Sequence, residues 1–305
     1  MESKGMEMMR CTANPVKITS HIQLAPLFQA CVGQDGAIYG DFLFRFATDG
    51  RCFVYSLKKE KQIAEFRLDK TELLKPHSNA VAFGAERYDE ADEFPLLYTN
   101  IYNNYAKQDE RLEGVCCVYR ITRDESTFAA TLVQVIRIGF VEDLQLWKSL
   151  PDREDVRPYG NLVPDVFRRR LYAFVMRDKE RVTRYFSFRL PKLADGERSE
   201  RWGVKVVTLQ KEDILSWFDD EYMCYMQGAC AYDGKIYSAE GFDMKTPDAP
   251  NHPAIRVIDM DAGKQLQYFD LYAMGKTKEP ELMEFSGDTL YYMDAAGTAY
   301  AVLFE

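Results

Sequence analysis

MQGACAYDGKIYSAEG (226–241) decides the fold once it is set beside QACVGQDGAIYGD (29–41). In both, Gln precedes Tyr by ten residues, at Gln29/Tyr39 and Gln227/Tyr237, and an Asp-Gly pair is followed by x-Ile-Tyr. A third version, ELMEFSGDTLYYMD (281–294), has Glu281 at the Gln position and Gly287-Asp288 as its turn. Self-similarity at a long, regular period is the mark of a repeat architecture. Tyr39, Tyr98, Tyr172, Tyr237 and Tyr291 anchor five units, roughly 55 to 75 residues apart. The residues after Tyr291, joined to those before Tyr39, complete the last unit.

Each unit reads as four short strands, rich in β-branched and aromatic residues and separated by turn signals. The first unit reads QACVGQ, AIYGDFLFRFA, RCFVYSL and KQIAEFRL; the fourth reads QGACAYD, KIYSAEGF, AIRVIDMD and KQLQYFDL. The third is expected to end on VKVVTLQ (204–210). The last unit is one strand short, and VKITSHIQL (16–24) is expected to supply it. Four-stranded units repeated radially make a β-propeller, and a terminal strand that closes the ring protects the sheet edges. The expectation is an all-β, five-bladed propeller over 15–305 after a flexible 1–14. Six blades is the alternative, if the long Tyr98–Tyr172 interval hides one more. Helices are expected at 142–150 and 211–219, between blades.

The 305 residues carry a net charge of −9, and no long basic segment is present, which argues against nucleic acid as a partner. No apolar window reaches the ~20 residues of a membrane helix, and the first residues lack a secretory apolar core. Seven Cys without C-x-x-C spacing read as reduced, core-filling thiols, so a cytoplasmic, monomeric protein is expected. Cys31 and Cys230 are expected on equivalent buried strands. No metal site and no cofactor are expected: neither Cys nor His shows ligand spacing, and nucleotide, calcium and hydrolase fingerprints are missing.

The innermost strand of each blade lines the channel, so its first residue lies near the rim. The repeat puts a polar group there in each blade: Gln29, His77 and Asn79, Asn161, Gln227 and Glu281. Arg157 and Tyr159, in VRPYGN, stand just before the third blade and add a cation and an aromatic surface. Such groups converging on a concave rim suit a small polar ligand. The same residues also satisfy backbone groups in tight turns. His77 is the strongest candidate for acid–base chemistry, with Glu281 as partner. Glu281 with Glu240 is the expected carboxylate pair if the chemistry is glycosidic.

Residues 77–104 resemble a stretch of uncharacterised bacterial β-propeller proteins, many from gut bacteria, with the pattern H-x-N-x-x-x-FG…D-x-FPLLY. The match runs through His77, Asn79, Phe83, Gly84, Asp92, Phe94, Pro95, Leu96, Leu97 and Tyr98. The wider strand pattern is similar to YVTN-like and WD40-like propellers, without the Gly-His…Trp-Asp signature of the latter. The resemblance implies the fold and no established activity. Three functions follow: a non-catalytic module binding a small polar ligand or peptide at the rim; a hydrolase or lyase using His77 and Glu281; or a scaffold for a protein partner. The first is the leading expectation.

Overall fold

A computed structural model describes residues 16–74, 77–101, 114–139, 161–177, 181–223, 226–243 and 251–305. The first strand, β1 (Ile22–Gln29), is held until last. Blade 1 is β2 (Gly36–Tyr39), β3 (Phe42–Phe46), β4 (Arg51–Ser56) and β5 (Lys61–Arg67). Blade 2 begins with β6 (Val81–Phe83), β7 (Leu97–Ile101), β8 (Val115–Asp124) and β9 (Thr127–Ile138). Blade 3 begins with β10 (Leu162–Asp165), β11 (Arg170–Arg177) and β12 (Val182–Arg189). The chain then forms β13 (Glu197–Arg198) and β14 (Lys205–Leu209) before β15 (Ser216–Glu221) finishes blade 3. Blade 4 is β16 (Met226–Tyr232), β17 (Lys235–Glu240), β18 (Ala254–Asp259) and β19 (Lys264–Asp270). Blade 5 is β20 (Pro280–Ser286), β21 (Thr289–Asp294) and β22 (Thr298–Phe304), with β1 as its outermost strand.

The innermost strands touch in a closed cycle: β2 against β6, β6 against β10, β10 against β16, β16 against β20, and β20 against β2. That cycle makes the structure a five-bladed propeller. Five apolar clusters seal the five gaps between blades, as expected when each sheet must bury both faces. Phe44, Phe66, Phe94 and Phe128 fill the gap between blades 1 and 2. Tyr98, Ile136, Leu171 and Phe188 fill the next, and Phe174, Tyr185, Ile236 and Ile258 the third. Tyr237, Val257, Met283 and Tyr292 lie between blades 4 and 5, and Ile38, Leu43, Leu282 and Met293 close the ring onto blade 1. Between Tyr98 and Tyr172 the described residues form the long β8–β9 hairpin, and the closed cycle of innermost strands has no place for a sixth blade.

The structure corrects several strand assignments. The N-terminal strand does close the last blade, antiparallel to β22, but it spans 22–29 and not 16–24. Gln29 is therefore the last residue of an outermost strand, opposite Thr298, and is exposed. Its Nε2 donates to the carbonyl of Ala296, 2.5 Å away, in the turn between β21 and β22. The cause is a phase error in a degenerate signal. In blade 4, Asp233-Gly234 is the two-residue turn between innermost and second strands, both residues at positive φ. In blade 1 the same letters, Asp35-Gly36, open the innermost strand, and the turn is Gly40-Asp41. Ile38-Tyr39 thus lies one strand further in than Ile236-Tyr237. For the same reason Cys31 sits in a partly exposed loop, whereas Cys230 is buried on β16.

Two other assignments change. Lys205–Leu209 does not end blade 3. It runs parallel to β9 and, with β13, extends blade 2 to six strands. The outermost place in blade 3 goes to Ser216–Glu221, within the segment expected to be helical; only a 3₁₀ turn forms, at Lys211–Asp213. The expected helix at 142–150 lies outside the described residues.

Candidate ligand site at the channel mouth

Gln227 and Glu281 justify the repeat that links them. In blade 4 the register shifts between Met226 and Gly228, and in blade 5 between Pro280 and Leu282. Each leaves one residue bulged out of the ladder at the start of an innermost strand, Gln227 and Glu281. A bulge re-aims a side chain without ending the strand. Gly228 allows the two starts to meet: a Cβ there would lie 2.7 Å from the carbonyl oxygen of Glu281.

The two bulged side chains have different surroundings. Gln227 Nε2 donates to the carbonyl of Gly241 at 3.0 Å and to the Glu279 carboxylate at 2.5 Å. Glu281 is 5% exposed, and its Oε2 has no hydrogen-bond partner. Burial raises the Glu281 pKa well above the carboxylate range; Glu279, Asp35 and Asp243 add to this, and Arg45 opposes it. Glu279 is raised too, by burial and then Asp243.

Arg45 is the residue the sequence reading missed. It lies on β3 within FLFRF, fully buried. Its Nη2 donates to the carbonyl of Gly33 at 2.7 Å and reaches the carbonyl of Asp294, in blade 5, at 3.5 Å. Its Nε and Nη1 are buried and have no acceptor. Gly33 makes the room, since a Cβ there would stand 3.0 Å from Nε. Burial pulls the Arg45 pKa down, while Glu281, Asp35, Cys31 and Asp294 hold it up. The lone charge in an otherwise aromatic strand was the available signal.

Beside Gly33, Gln34 Oε1 lies 2.7 Å from His77 Nε2. Burial depresses His77 to about 4, so its imidazole is neutral near pH 7. Asn79 is 7% exposed, and its Oδ1 is buried without a donor. Asp35 sits deeper: its carboxylate accepts from Val81 N at 2.9 Å and Met283 N at 3.4 Å, tying blades 1, 2 and 5 at the axis. Its pKa is raised by burial.

The mouth therefore has an arc of polar groups over four blades: Gln227 and Glu279, then Glu281, then Arg45 with Gly33 and Gln34, then His77 and Asn79. Other expected site residues have structural roles. Asn161 Nδ2 donates to the Phe174 carbonyl at 3.3 Å, within blade 3. Glu240, opposite Met226 at the same end of blade 4 as Gln227, is held by Arg256 through contacts of 2.9 and 3.2 Å. The proposed Glu281–Glu240 pair is thus replaced by two carboxylates facing different guanidiniums. Arg157 and Tyr159 lie outside the described residues. Among those described, no group of three or more His, Cys, Asp or Glu is arranged to hold a metal.

The 77–98 motif also divides. Asp92 pairs with Arg120 at 3.0 Å, Phe94 joins the aromatic cluster, and Gly84 leaves room for the Tyr98 ring. Those residues hold the blade; His77 and Asn79 face the mouth's polar groups.

No protein-family model and no curated protein matches the chain. Among solved structures, Myxococcus xanthus glutaminyl cyclase is similar over 95% of this chain and 97% of its own, with TM-score 0.46 and 11% identity. The β-propeller domain of Myceliophteria thermophila Cps50 (Swd1) is similar over 89% of this chain and 83% of its own, with TM-score 0.39 and 9% identity. At this level neither likeness bears on activity.

Proposed function

We propose that the protein is a binding module for a small polar ligand at the channel mouth. One observation carries this reading: the unused Nε and Nη1 of Arg45 and the unused Oε2 of Glu281, on adjoining blades. A buried polar group without a partner costs about 1–3 kcal/mol. A ligand with anionic oxygen for the guanidinium and a hydroxyl donor for the carboxyl would relieve both, as a hydroxy acid or acidic sugar does. Buried free thiols at Cys52, Cys116, Cys117 and Cys230 support a reducing, cytoplasmic setting. The 77–98 motif supports a place among the bacterial propellers it resembles.

The test is a thermal-shift series with sugar acids and hydroxy acids on the full chain. A ligand at a hundred times its dissociation constant stabilises by ~2.7 kcal/mol, a shift of a few degrees. The shift should vanish in Arg45→Met and weaken in Glu281→Gln. No shift with any acid, or a shift both variants keep, overturns the reading.

A second reading has one observation in its favour. His77 is held neutral while Glu281 is pushed toward its protonated form, a base and an acid on one mouth. It predicts turnover of a bound acidic sugar that Glu281→Gln abolishes while binding persists.

A further inference from the structure

We propose a second ligand site, in a groove on the outer edge of blade 2, for a small molecule carrying adjacent phosphate groups. The groove exists because β13 and β14 leave blade 3 and extend blade 2 beyond β9. It encloses about 630 Å³.

Its walls carry three guanidiniums, from Arg137 on β9, Arg198 on β13 and Arg201 in the β13–β14 turn. None of the three forms an ion pair among the described residues, whereas Arg51, Arg120, Arg123, Arg184, Arg189 and Arg256 do. Glu197 is the single carboxylate in the lining. In a chain of net charge −9, three cations without an ion-pair partner among the described residues, lining one groove, form a marked local positive field; the Arg201 guanidinium carbon lies 5.6 Å from the centre of the Trp202 ring.

The walls are held in place. Arg137 Nε donates to Thr208 Oγ1 at 3.1 Å across the β9–β14 pair. Gly196 turns the chain at φ +89°, where a Cβ would meet the Val206 carbonyl at 2.5 Å. The Lys70 ammonium donates to the carbonyl of Trp202, tying the turn to the connection between blades 1 and 2. Trp202 is 5% exposed, and its Nε1–H is buried with no acceptor in this structure. Ser199 adds a hydroxyl to the lining. Guanidinium forks match phosphate oxygens in bidentate geometry, and hydroxyl and indole donors extend the same preference. Three cations against one carboxylate suit two linked phosphates better than a single one. The groove is too small for a duplex, and the chain's charge opposes a nucleic-acid backbone.

The experiment is calorimetric titration of the full chain with inorganic pyrophosphate at fixed ionic strength, with sodium sulfate as the matched anion. Saturable binding is expected, stronger than for sulfate. Arg198→Ala and Arg201→Ala, both exposed positions, should each weaken it about tenfold or more while the melting temperature holds. Trp202→Phe should weaken it less. Arg45→Met should leave it unchanged. No saturable binding, an equal response to sulfate, or unchanged affinity in both exposed-arginine variants would overturn the site. Loss in Arg45→Met alone would move the ligand to the channel mouth and also overturn it.

Discussion

Two buried arginines, Arg45 in blade 1 and Arg256 in blade 4, show how the same residue type serves opposite ends. Arg256 is saturated: Glu240 takes two of its nitrogens, Gln265 accepts from Nη1, and the Tyr268 ring lies 5.1 Å below the guanidinium carbon. Burial works against its charge, yet Glu240 more than offsets this and raises its pKa. Arg45 is just as enclosed, but it spends one nitrogen on backbone carbonyls and leaves two idle. Burial dominates there, and its pKa falls. A charge that is fully paired holds a fold together. A buried charge left short of partners has donors in reserve for a ligand.

The largest expected effect breaks the saturated half of that comparison. Glu240→Ala strands Arg256 and should cost about 3–5 kcal/mol in denaturant unfolding. Arg45→Met should cost far less, since it removes unpaired donors together with the charge. Equal losses would show that Arg45 is as structural as Arg256.

His77 comes next. Its folded value of about 4 lies below the ordinary 6.5, so the folded state resists protonation. Its stabilising contribution is present above pH 6.5 and is lost as pH falls toward 4, at most about 3 kcal/mol. His77→Gln should flatten that part of the stability–pH curve.

Glu281 runs the other way. Its raised pKa means the folded state holds the proton more tightly than the unfolded chain. Its contribution is present at acid pH and is lost as pH rises above the ordinary carboxylate range. Glu281→Gln should stabilise the protein at pH 7, by less than Glu240→Ala destabilises it, and should remove that slope. A net loss at pH 7 would mean that the ionised carboxylate is needed to hold Arg45.

The smallest effects separate Gln227 from Gln29, which the sequence makes look alike. Gln227→Ala removes bonds to Gly241 and Glu279 and should cost about 1 kcal/mol. Gln29→Ala, exposed on an outermost strand, should stay within about 0.5 kcal/mol and leave ligand shifts intact.

Much of the fold was legible in the sequence. Alternating strands with turn pairs at a repeating spacing specify a ring of blades, because such strands can bury both faces only by stacking radially. That Gln227 and Glu281 start inner strands was legible too, since the surrounding strands follow the same pattern; that each is bulged out of its ladder was not. Blade 1 was misread because Asp-Gly followed by Ile-Tyr marks a turn beside a strand, not which strand it is. The transfer of β14 to blade 2 was hidden for a related reason: Val, Thr and Leu in VKVVTL fit an antiparallel or a parallel neighbour equally well.

Local pattern alone pointed to a propeller of five blades, with six as the alternative, closed by an N-terminal strand, and put Gln227 and Glu281 at the starts of inner strands. The tertiary structure decided which of those groups are already satisfied. It gave Gln227 and Glu240 their partners, left Arg45 and Glu281 short of theirs, and gathered three arginines from separate strands around one groove. Hydrogen bonding of a buried side chain depends on neighbours brought together across blades, and Arg45 and Glu281 are more than 200 residues apart in the chain.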